Sequence, residues 1–145
     1  MKSNATRRSG MDKRQLELIR DAEKNINNKR LELEALRYKA SGAGAIRYDK
    51  EKVQTSPQDY LSMAIADMVE LEKQIAEAEA AIEEMKGEAY TIVRKMDKPE
   101  QRAVIEWYYL NGLSMMDTAI RLNLSERAAY YLKDDALEAF VLIKK

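Results

Sequence analysis

The sequence contains no cysteine and no histidine among its 145 residues. Without cysteine the chain can form neither disulfide bonds nor a thiolate metal site. Without histidine it lacks the most frequent general base of enzymes. No apolar run approaches the roughly 18 residues of a membrane span, and the first ten residues, MKSNATRRSG, are too polar for a signal peptide. We therefore expect a cytoplasmic protein with no membrane partner and with no metal or other cofactor.

Positive and negative charges are divided unevenly along the chain, although the formal net charge is zero. Residues 1–50 carry thirteen basic and seven acidic groups, whereas residues 51–96 carry five basic and ten acidic groups. Opposite charge on facing flanks favours the pairing of two helices, although each exposed pair contributes only about 0.2–1 kcal/mol. The charge pattern thus predicts that the first part of the chain packs against the second.

The strongest helical pattern lies in the middle of the chain. Ser56 can cap a helix that begins at Pro57, because proline suits a first helical turn. From Leu61 to Met96 the apolar residues alternate three and four apart, as the a and d positions of a coiled coil do. We expect the coiled-coil or oligomer contacts to be made by Leu61, Met68, Leu71, Ile75, Ile82 and Met85.

A first helix from about Asp12 to Ala40 offers this helix a partner with a similar apolar alternation. The connector 41–56 is long enough for the chain to reverse into an antiparallel hairpin. Parallel and antiparallel dimers are equally compatible with the heptads, so we expect a hairpin that also forms a homo-oligomer. Gly87 lies on the outer face of the second helix and indicates either a bend or a tolerated surface glycine.

The long helices rich in glutamate also require that an enzyme be considered. Dimetal sites in helical bundles need carboxylates that project inward between the helices, often together with histidine. The acidic residues of the second helix fall beside the apolar seam or outside it, as at Glu70, Glu77 and Glu84. The glycines at 42 and 44 are not followed by the Lys-Ser or Lys-Thr of a phosphate loop. The chain is therefore not expected to be an enzyme, and we expect no catalytic residue.

The segment from Leu113 to Leu137 has the spacing of two short helices joined by a tight turn at residues 123–124. Ala119 is small enough to let the two helices approach closely, and Ser125 can cap the second helix. Three residues of that helix recur at helical spacing and are expected to face the core, namely Ala129, Leu132 and Ala136. The opposite face then carries Glu126, Arg127, Tyr130, Tyr131 and Asp134.

A third short helix is predicted immediately before this pair. Pro99 suits its first turn, Val104 and Ile105 supply an apolar stripe, and Gly112 suits the left-handed stop that follows a helix. Trp107, like Phe140 near the end of the chain, is expected to pack in the core of this small domain. Three helices within about forty residues make a compact unit of the size of many DNA-binding modules.

The run EQRAVIEWYYLNGLS from Glu100 to Ser114, followed by the helix-turn-helix pattern, resembles region 4 of sigma-70-type RNA polymerase sigma factors. The chain from about residue 12 to 140, including the middle run 46–57, resembles small phage proteins of Gram-positive hosts, the sigma-like late-gene activators of the ArpU and RinA type. This resemblance implies a regulator in the host cytoplasm that binds double-stranded promoter DNA and activates late or packaging genes. It leaves the role of the run 46–57 open.

The resemblance also assigns roles on the predicted reading helix and around it. Bases would be contacted by Arg127, Tyr130 and Tyr131, phosphates by Arg121 and Ser125, and the DNA backbone by Lys133, while Glu126 and Asp134 complete the expected DNA-binding surface. Residues 97–145 carry seven basic and eight acidic groups, a net charge of −1, which is unfavourable for phosphate binding. The alternative is therefore a sigma-like adaptor that binds host RNA polymerase or another protein without reading DNA.

Together these observations predict an all-α chain, a long helical coiled-coil hairpin followed by a small C-terminal helix-turn-helix domain. Residues 1–11, with Arg7 and Arg8, are expected to form a flexible basic arm. Residues 12–96 are expected to form the hairpin or coiled coil with its connector at 41–56, and residues 97–145 the sigma region 4-like domain.

Overall fold

The computed structural model describes residues 10–41 and 57–143, and every regular element within these ranges is helical. This confirms the all-α class. The helices are α1 (Lys13–Ala40), α2 (Pro57–Val93), α3 (Pro99–Val104), which continues as a π-helical segment (Ile105–Leu110), α4 (Met115–Leu122) and α5 (Glu126–Val141). Several predicted features lie outside the described residues: the cap Ser56, residues 42–56 of the connector 41–56, all but the last residue of the run 46–57, and the arginines at 7 and 8.

The chain divides into two compact units, and both long helices contribute to each of them. One unit comprises residues 25–80, and the other comprises the residues up to 24 together with those from 81 onward. The predicted boundary between residues 96 and 97 therefore does not coincide with a boundary in packing. The reason is that the first turns of α1 and the last turns of α2 bury their apolar faces together with the C-terminal helices.

In the unit of residues 25–80, α1 and α2 run antiparallel. Arg37 pairs with Glu72 at 3.1 Å, and seven residues earlier on α1, Arg30 pairs with Glu79, seven residues later on α2. Beside these pairs the seam buries the side chains of Leu33, Leu71 and Ile75. Of the other predicted contacts of α2 in this unit, Met68 is partly buried, whereas Leu61 remains 41% exposed. Leu61 thus remains largely accessible, and its predicted coiled-coil or oligomer contact stays a prediction.

The core of the other unit is formed by four parts of the chain. Leu16 and Ile19 from α1 meet Ile92 and Val93 from α2, and α3 with its π segment and α5 complete the cluster. Its remaining buried members are Met11, Ala89, Met96, Val104, Ile105, Tyr109, Leu110, Ala136, Leu137 and Phe140. The predicted coiled-coil residue Met85 packs partly against this cluster, and Ile82 is also partly buried. At about 25 cal/mol per Å² of apolar surface, this burial is the main stabilising term of the unit.

The start of the folded chain differs from the prediction. Met11 is only 2% exposed and belongs to the core cluster, although residues 1–11 were expected to form a flexible arm. A Cβ atom added to Gly10 would lie 2.6 Å from the carbonyl oxygen of Ile143. Residues 10 and 11 are thus part of the unit, because an apolar methionine precedes α1 and finds space beside α2 and the last turn of the chain.

An ion pair within the same unit joins α1 to α2. Lys86 Nζ lies 2.7 Å from Glu23 Oε2, and Glu23 is one of the few buried polar residues among those described. Seven residues separate Glu23 from Arg30 in the chain, so the flanking pairs follow the heptad repeat.

The helix α2 continues through Gly87, which is exposed, so this glycine does not end it. Among the described helices, none is both long and apolar enough to cross a lipid bilayer.

Candidate nucleic-acid interface

The segment before the predicted DNA-reading helices begins and ends as the sequence predicts, but its middle is different. Pro99 occupies the first turn of α3 and Gly112 adopts φ +73° after its end. Between them the chain widens into a π-helix, in which the N–H of Asn111 donates to the carbonyl oxygen of Glu106 at 2.9 Å. π-Helical turns are rare in proteins, and those that occur are often found at functional sites. The apolar spacing of this run does not distinguish a π-helix from an α-helix.

This π segment places the aromatic side chains of the domain in different environments. Tyr109 is buried, whereas Trp107 and Tyr108 are only partly buried. The prediction of core packing is therefore right for Phe140, which is fully buried, and only partly right for Trp107. Burial raises the pKa of Tyr109 well above its ordinary value, and the neighbouring Tyr108 and Glu17 add to the rise.

The C-terminal end of the π segment is held by an arginine that sequence reasoning missed. Arg20 of α1 donates through Nη1 to the carbonyl oxygens of Tyr108 and Leu113, both at 2.7 Å. The last carbonyls of a helix have no partner within the helix, so a cation is a favourable partner for them. The only signal in the sequence is this general need, which does not say which of the 25 basic residues meets it.

The helix α4 begins at Met115 because Ser114 caps it. The Ser114 hydroxyl oxygen accepts from the N–H of Asp117 at 3.0 Å, which satisfies one of the free donors of the first turn. At the other end Asn123 adopts the left-handed conformation, with φ 59° and ψ 42°. Asparagine tolerates this region better than most residues, so it serves here as the turn residue in place of glycine.

The helix α5 follows at once and packs against α4 through small side chains. Ser125 caps α5 as predicted, its hydroxyl oxygen accepting from the N–H of Ala128 at 3.1 Å. Ala119 and Ala129 are both buried where the two helices meet, in a small cluster with Met115 and the partly buried Tyr108. The small residues permit the close approach that the sequence predicts.

The outer face of α5 carries the side chains that the sequence places there. Ala129 and Ala136 are buried and Leu132 is partly buried, which fixes the direction of the opposite face. The exposed members of that face are Glu126, Arg127, Tyr130, Tyr131 and Asp134. This surface can offer hydrogen-bond donors, acceptors and aromatic edges to a partner.

Two exposed arginines on this part of the domain lie against aromatic side chains. The guanidinium of Arg127 lies 3.3–3.4 Å from the hydroxyl oxygen of Tyr131, to which it donates, one turn along α5. The guanidinium of Arg121, in the last turn of α4, lies 4.5 Å from the ring centroid of Trp107. Such contacts restrict a long side chain while the charge stays accessible, which reduces the entropy lost on binding.

Lys133 is less accessible than the other residues predicted to contact DNA. Its side chain is only 15% exposed, and its ammonium lies 5.6 Å and 5.4 Å from the ring centroids of Tyr108 and Tyr130. It also lies 3.6 Å from a carboxylate oxygen of Asp134. These neighbours cover and partly neutralise the charge of Lys133, and its contact with the DNA backbone stays a prediction.

Comparison of the chain with protein-family models, with curated proteins and with solved structures found no match. In the described ranges 10–41 and 57–143, no cluster of three or more acidic side chains has the arrangement of a metal site. The exposed face of α5 and the adjoining Arg121 therefore remain the candidate site, defined by their own geometry.

Proposed function

We propose that this protein is a DNA-binding transcriptional regulator in which α4, the turn at residues 123–124 and α5 form a helix-turn-helix. The observation that carries the proposal is the outer face of α5. One side of this capped helix is buried through Ala129 and Ala136, and the other presents Arg127, Tyr130 and Tyr131 to solvent. A helix presented in this way fits the major groove, where arginine can bind guanine and apolar edges can meet the thymine methyl group.

The roles of the site residues follow from their positions. Arg127, Tyr130 and Tyr131 are assigned to base contacts, and Arg121 and the first turn of α5 at Ser125 to phosphates. Backbone N–H groups and the positive end of the helix dipole favour an anion at a helix start. Glu126 and Asp134 lie on the same surface, and their negative charges oppose phosphate binding. The protein should therefore favour DNA sequences whose base contacts compensate for this repulsion.

The proposal extends to the rest of the chain. The ion pairs of Arg30 with Glu79 and of Arg37 with Glu72 flank an apolar seam at heptad spacing, which supports a coiled-coil hairpin of α1 and α2. Self-association through these helices would provide two reading helices for two half-sites. The resemblance to sigma region 4 and to phage late-gene activators supports promoter DNA in a bacterial host as the target, with host RNA polymerase as a further partner.

The proposal is tested by fluorescence anisotropy with two labelled duplexes, one from upstream of a phage late or packaging operon and one unrelated. We expect preferential binding to the promoter duplex, with an affinity that falls as salt rises. Arg127→Ala should weaken promoter binding by about tenfold, since a bidentate base contact contributes about 1–3 kcal/mol. The matched control is Arg14→Ala, which removes an exposed arginine of α1 and should leave binding unchanged.

One observation favours a second function, that of an adaptor for host RNA polymerase or another protein. Glu126, Asp134 and Asp135 make α5 acidic, and the C-terminal segment 97–145 has a net charge of −1. An adaptor would bind no duplex at low salt and would retain its protein partner as salt rises. Unchanged promoter affinity in Arg127→Ala together with binding to purified polymerase would replace the first proposal by this one.

A further inference from the structure

Lys133 differs from the other cations of the candidate site in what surrounds its charge. Its ammonium lies 5.4 Å from the ring centroid of Tyr130 and 5.6 Å from that of Tyr108. Both distances are within the range of about 6 Å at which an aromatic ring attracts a cation. The Lys133 side chain is 15% exposed, whereas Tyr130 is 44% exposed. The charge is thus largely covered, and it lies next to a ring that forms part of the surface.

Tyr108 offers this ammonium a ring that is itself held in place. The guanidinium of Arg20 lies over the same ring, and the Tyr109 ring meets it edge to face, with the two centroids 4.9 Å apart. Tyr108 also packs against the buried cluster between α4 and α5. Because these contacts come from several elements, the position of the Tyr108 ring does not depend on Lys133 alone.

Tyr130 is the exposed neighbour of Lys133 on α5. The two residues are three apart, so their side chains are adjacent on the helix surface. Lys133 therefore connects a held ring, Tyr108, with an exposed ring, Tyr130, and restricts the orientations of the exposed one. Tyr131 contacts Arg127 instead, a cation that is itself exposed and can meet DNA.

A phosphate contact would require the Lys133 ammonium to leave this position. It would lose the attraction of both rings and of the Asp134 carboxylate, whose oxygen lies 3.6 Å away. A Tyr130 side chain that is already restricted, in contrast, loses less entropy when it meets a base, which strengthens that contact. The arrangement thus favours an indirect role of Lys133 over a direct contact with the DNA backbone.

We propose that Lys133 is a positioning residue for base recognition, which holds Tyr130 in the orientation that meets the major groove. It then contributes to the discrimination between DNA sequences and not to phosphate binding. The inference rests on the proposed function and deepens it, because it separates the cation that positions a base contact from the cations that meet DNA.

The two duplexes of the promoter test, used with Lys133→Gln, separate the two roles. We expect the affinity for the promoter duplex to fall about three- to tenfold, while the affinity for the unrelated duplex changes by less than about twofold and the salt dependence stays the same. Loss of a phosphate contact would weaken binding to both duplexes and lower the slope of log affinity against log salt by about 0.9, which would overturn the inference. Lys73→Gln, at an exposed lysine of the unit of residues 25–80, is the matched control and should bind both duplexes like the unsubstituted chain.

Tyr130→Ala tests whether Lys133 acts through Tyr130. In this background Lys133→Gln should lower promoter affinity no further, since the side chain that it positions is gone. Equal losses from Lys133→Gln in the presence and absence of Tyr130 would overturn the inference. Helix content measured by circular dichroism must be equal in all variants, and Lys133→Met, which keeps an apolar stem, serves where Lys133→Gln loses helix.

A measurement without DNA separates this inference from the proposed function. When Tyr130 is replaced by 3-fluorotyrosine, Lys133→Gln should shift and narrow its fluorine NMR resonance, and Lys73→Gln should not. An unchanged resonance would overturn the inference even where promoter binding is specific. A chain that shows no preference for the promoter duplex would overturn the proposed function, and a shifted resonance would then still establish that Lys133 holds Tyr130.

Discussion

The guanidinium of Arg20 lies over the ring of Tyr108, 3.8 Å from its centroid, while the same side chain donates to the Tyr108 carbonyl oxygen at 2.7 Å. A second hydrogen bond of 2.7 Å reaches the carbonyl oxygen of Leu113. Arg20 therefore links α1 to both ends of the turn that leads into α4. The helices α4 and α5 depend on this turn for their position, because Tyr108 also packs against the small cluster between them.

Replacing Arg20 by alanine should destabilise the protein by about 2–3 kcal/mol, since charged hydrogen bonds are lost and two carbonyls lose their partner. Arg20→Lys should recover only part of this loss, because an ammonium cannot match the planar stacking of the guanidinium on the Tyr108 ring. Chemical denaturation followed by circular dichroism measures both. Arg14→Ala, at an exposed site of the same helix, is the control. Equal stability of Arg20→Ala and this control would contradict the anchoring role.

Gly112 should not tolerate a side chain. Its φ of +73° disfavours any L-residue with a Cβ, and a Cβ built there would lie 3.1 Å from the Glu23 Cβ and 3.2 Å from the Lys24 nitrogen. Gly112→Ala is therefore expected to lower the free energy of unfolding by about 1–3 kcal/mol, from backbone strain and displacement of α1. Urea denaturation would measure this loss, and a variant as stable as the unsubstituted chain would show that the turn can relax freely.

Gly87 should respond in the opposite direction. It lies inside α2, is exposed, and would place a Cβ with no atom within 4 Å. Gly87→Ala should raise the free energy of unfolding by about 0.5–1 kcal/mol, because alanine loses less backbone entropy in a helix. The same denaturation experiment gives the comparison with Gly112→Ala. A destabilised Gly87→Ala variant would indicate that a partner or a bend requires glycine at this position. A bend is one of the two interpretations of Gly87 that the sequence allows.

The features predicted from the sequence are those that depend on near neighbours in the chain. Local backbone and side-chain chemistry accounts for four of these features: the helix starts at Pro57 and at Pro99, the left-handed Asn123 and the Ser125 cap. The alternation of buried and exposed residues on α5 follows from its helical period alone. These features set the outline of the candidate site.

What could not be predicted depends on partners far away in the chain. Arg20 reaches carbonyls 88 and 93 residues later, and no local pattern selects it among the other cations. The burial of Lys133 results from Tyr108, whose position in turn depends on the π segment. The apolar spacing of α2 likewise fits α1 or a second chain equally well, so the exposure of Leu61 emerges only from the place where α1 ends.

The buried Tyr109 should make stability sensitive to alkaline pH. Burial raises its pKa above the ordinary tyrosine value, so the folded chain keeps the proton at pH values where the unfolded chain releases it. The resulting stability is fully present below about pH 10 and is lost as pH rises further, through the raised pKa of the folded state. Tyr109→Phe should therefore show a smaller loss of stability from neutral pH to about pH 11 than the unsubstituted chain.

The control for this experiment is Tyr38→Phe, since Tyr38 is 61% exposed. It should follow the pH dependence of the unsubstituted chain. Denaturation curves at several alkaline pH values supply the comparison, and identical slopes for Tyr109→Phe and Tyr38→Phe would show that Tyr109 does not cause the alkaline loss.

Asp134 provides a test of the sign of the charge effect on the proposed reading surface. Its carboxylate is exposed on the same face of α5 as Arg127, and it also lies near Lys133. Asp134→Asn removes a repulsive charge and releases Lys133, so affinity for both promoter and unrelated duplexes should rise by about two- to fivefold at low salt and less at higher salt. Asp67→Asn, an exposed change in the unit of residues 25–80, should leave the affinity unchanged. Anisotropy titrations at two salt concentrations measure these affinities. A gain of affinity for both duplexes means that Asp134 acts through general repulsion. A loss of affinity confined to the promoter duplex would contradict this and make the Asp134 carboxylate a direct hydrogen-bond acceptor from a base.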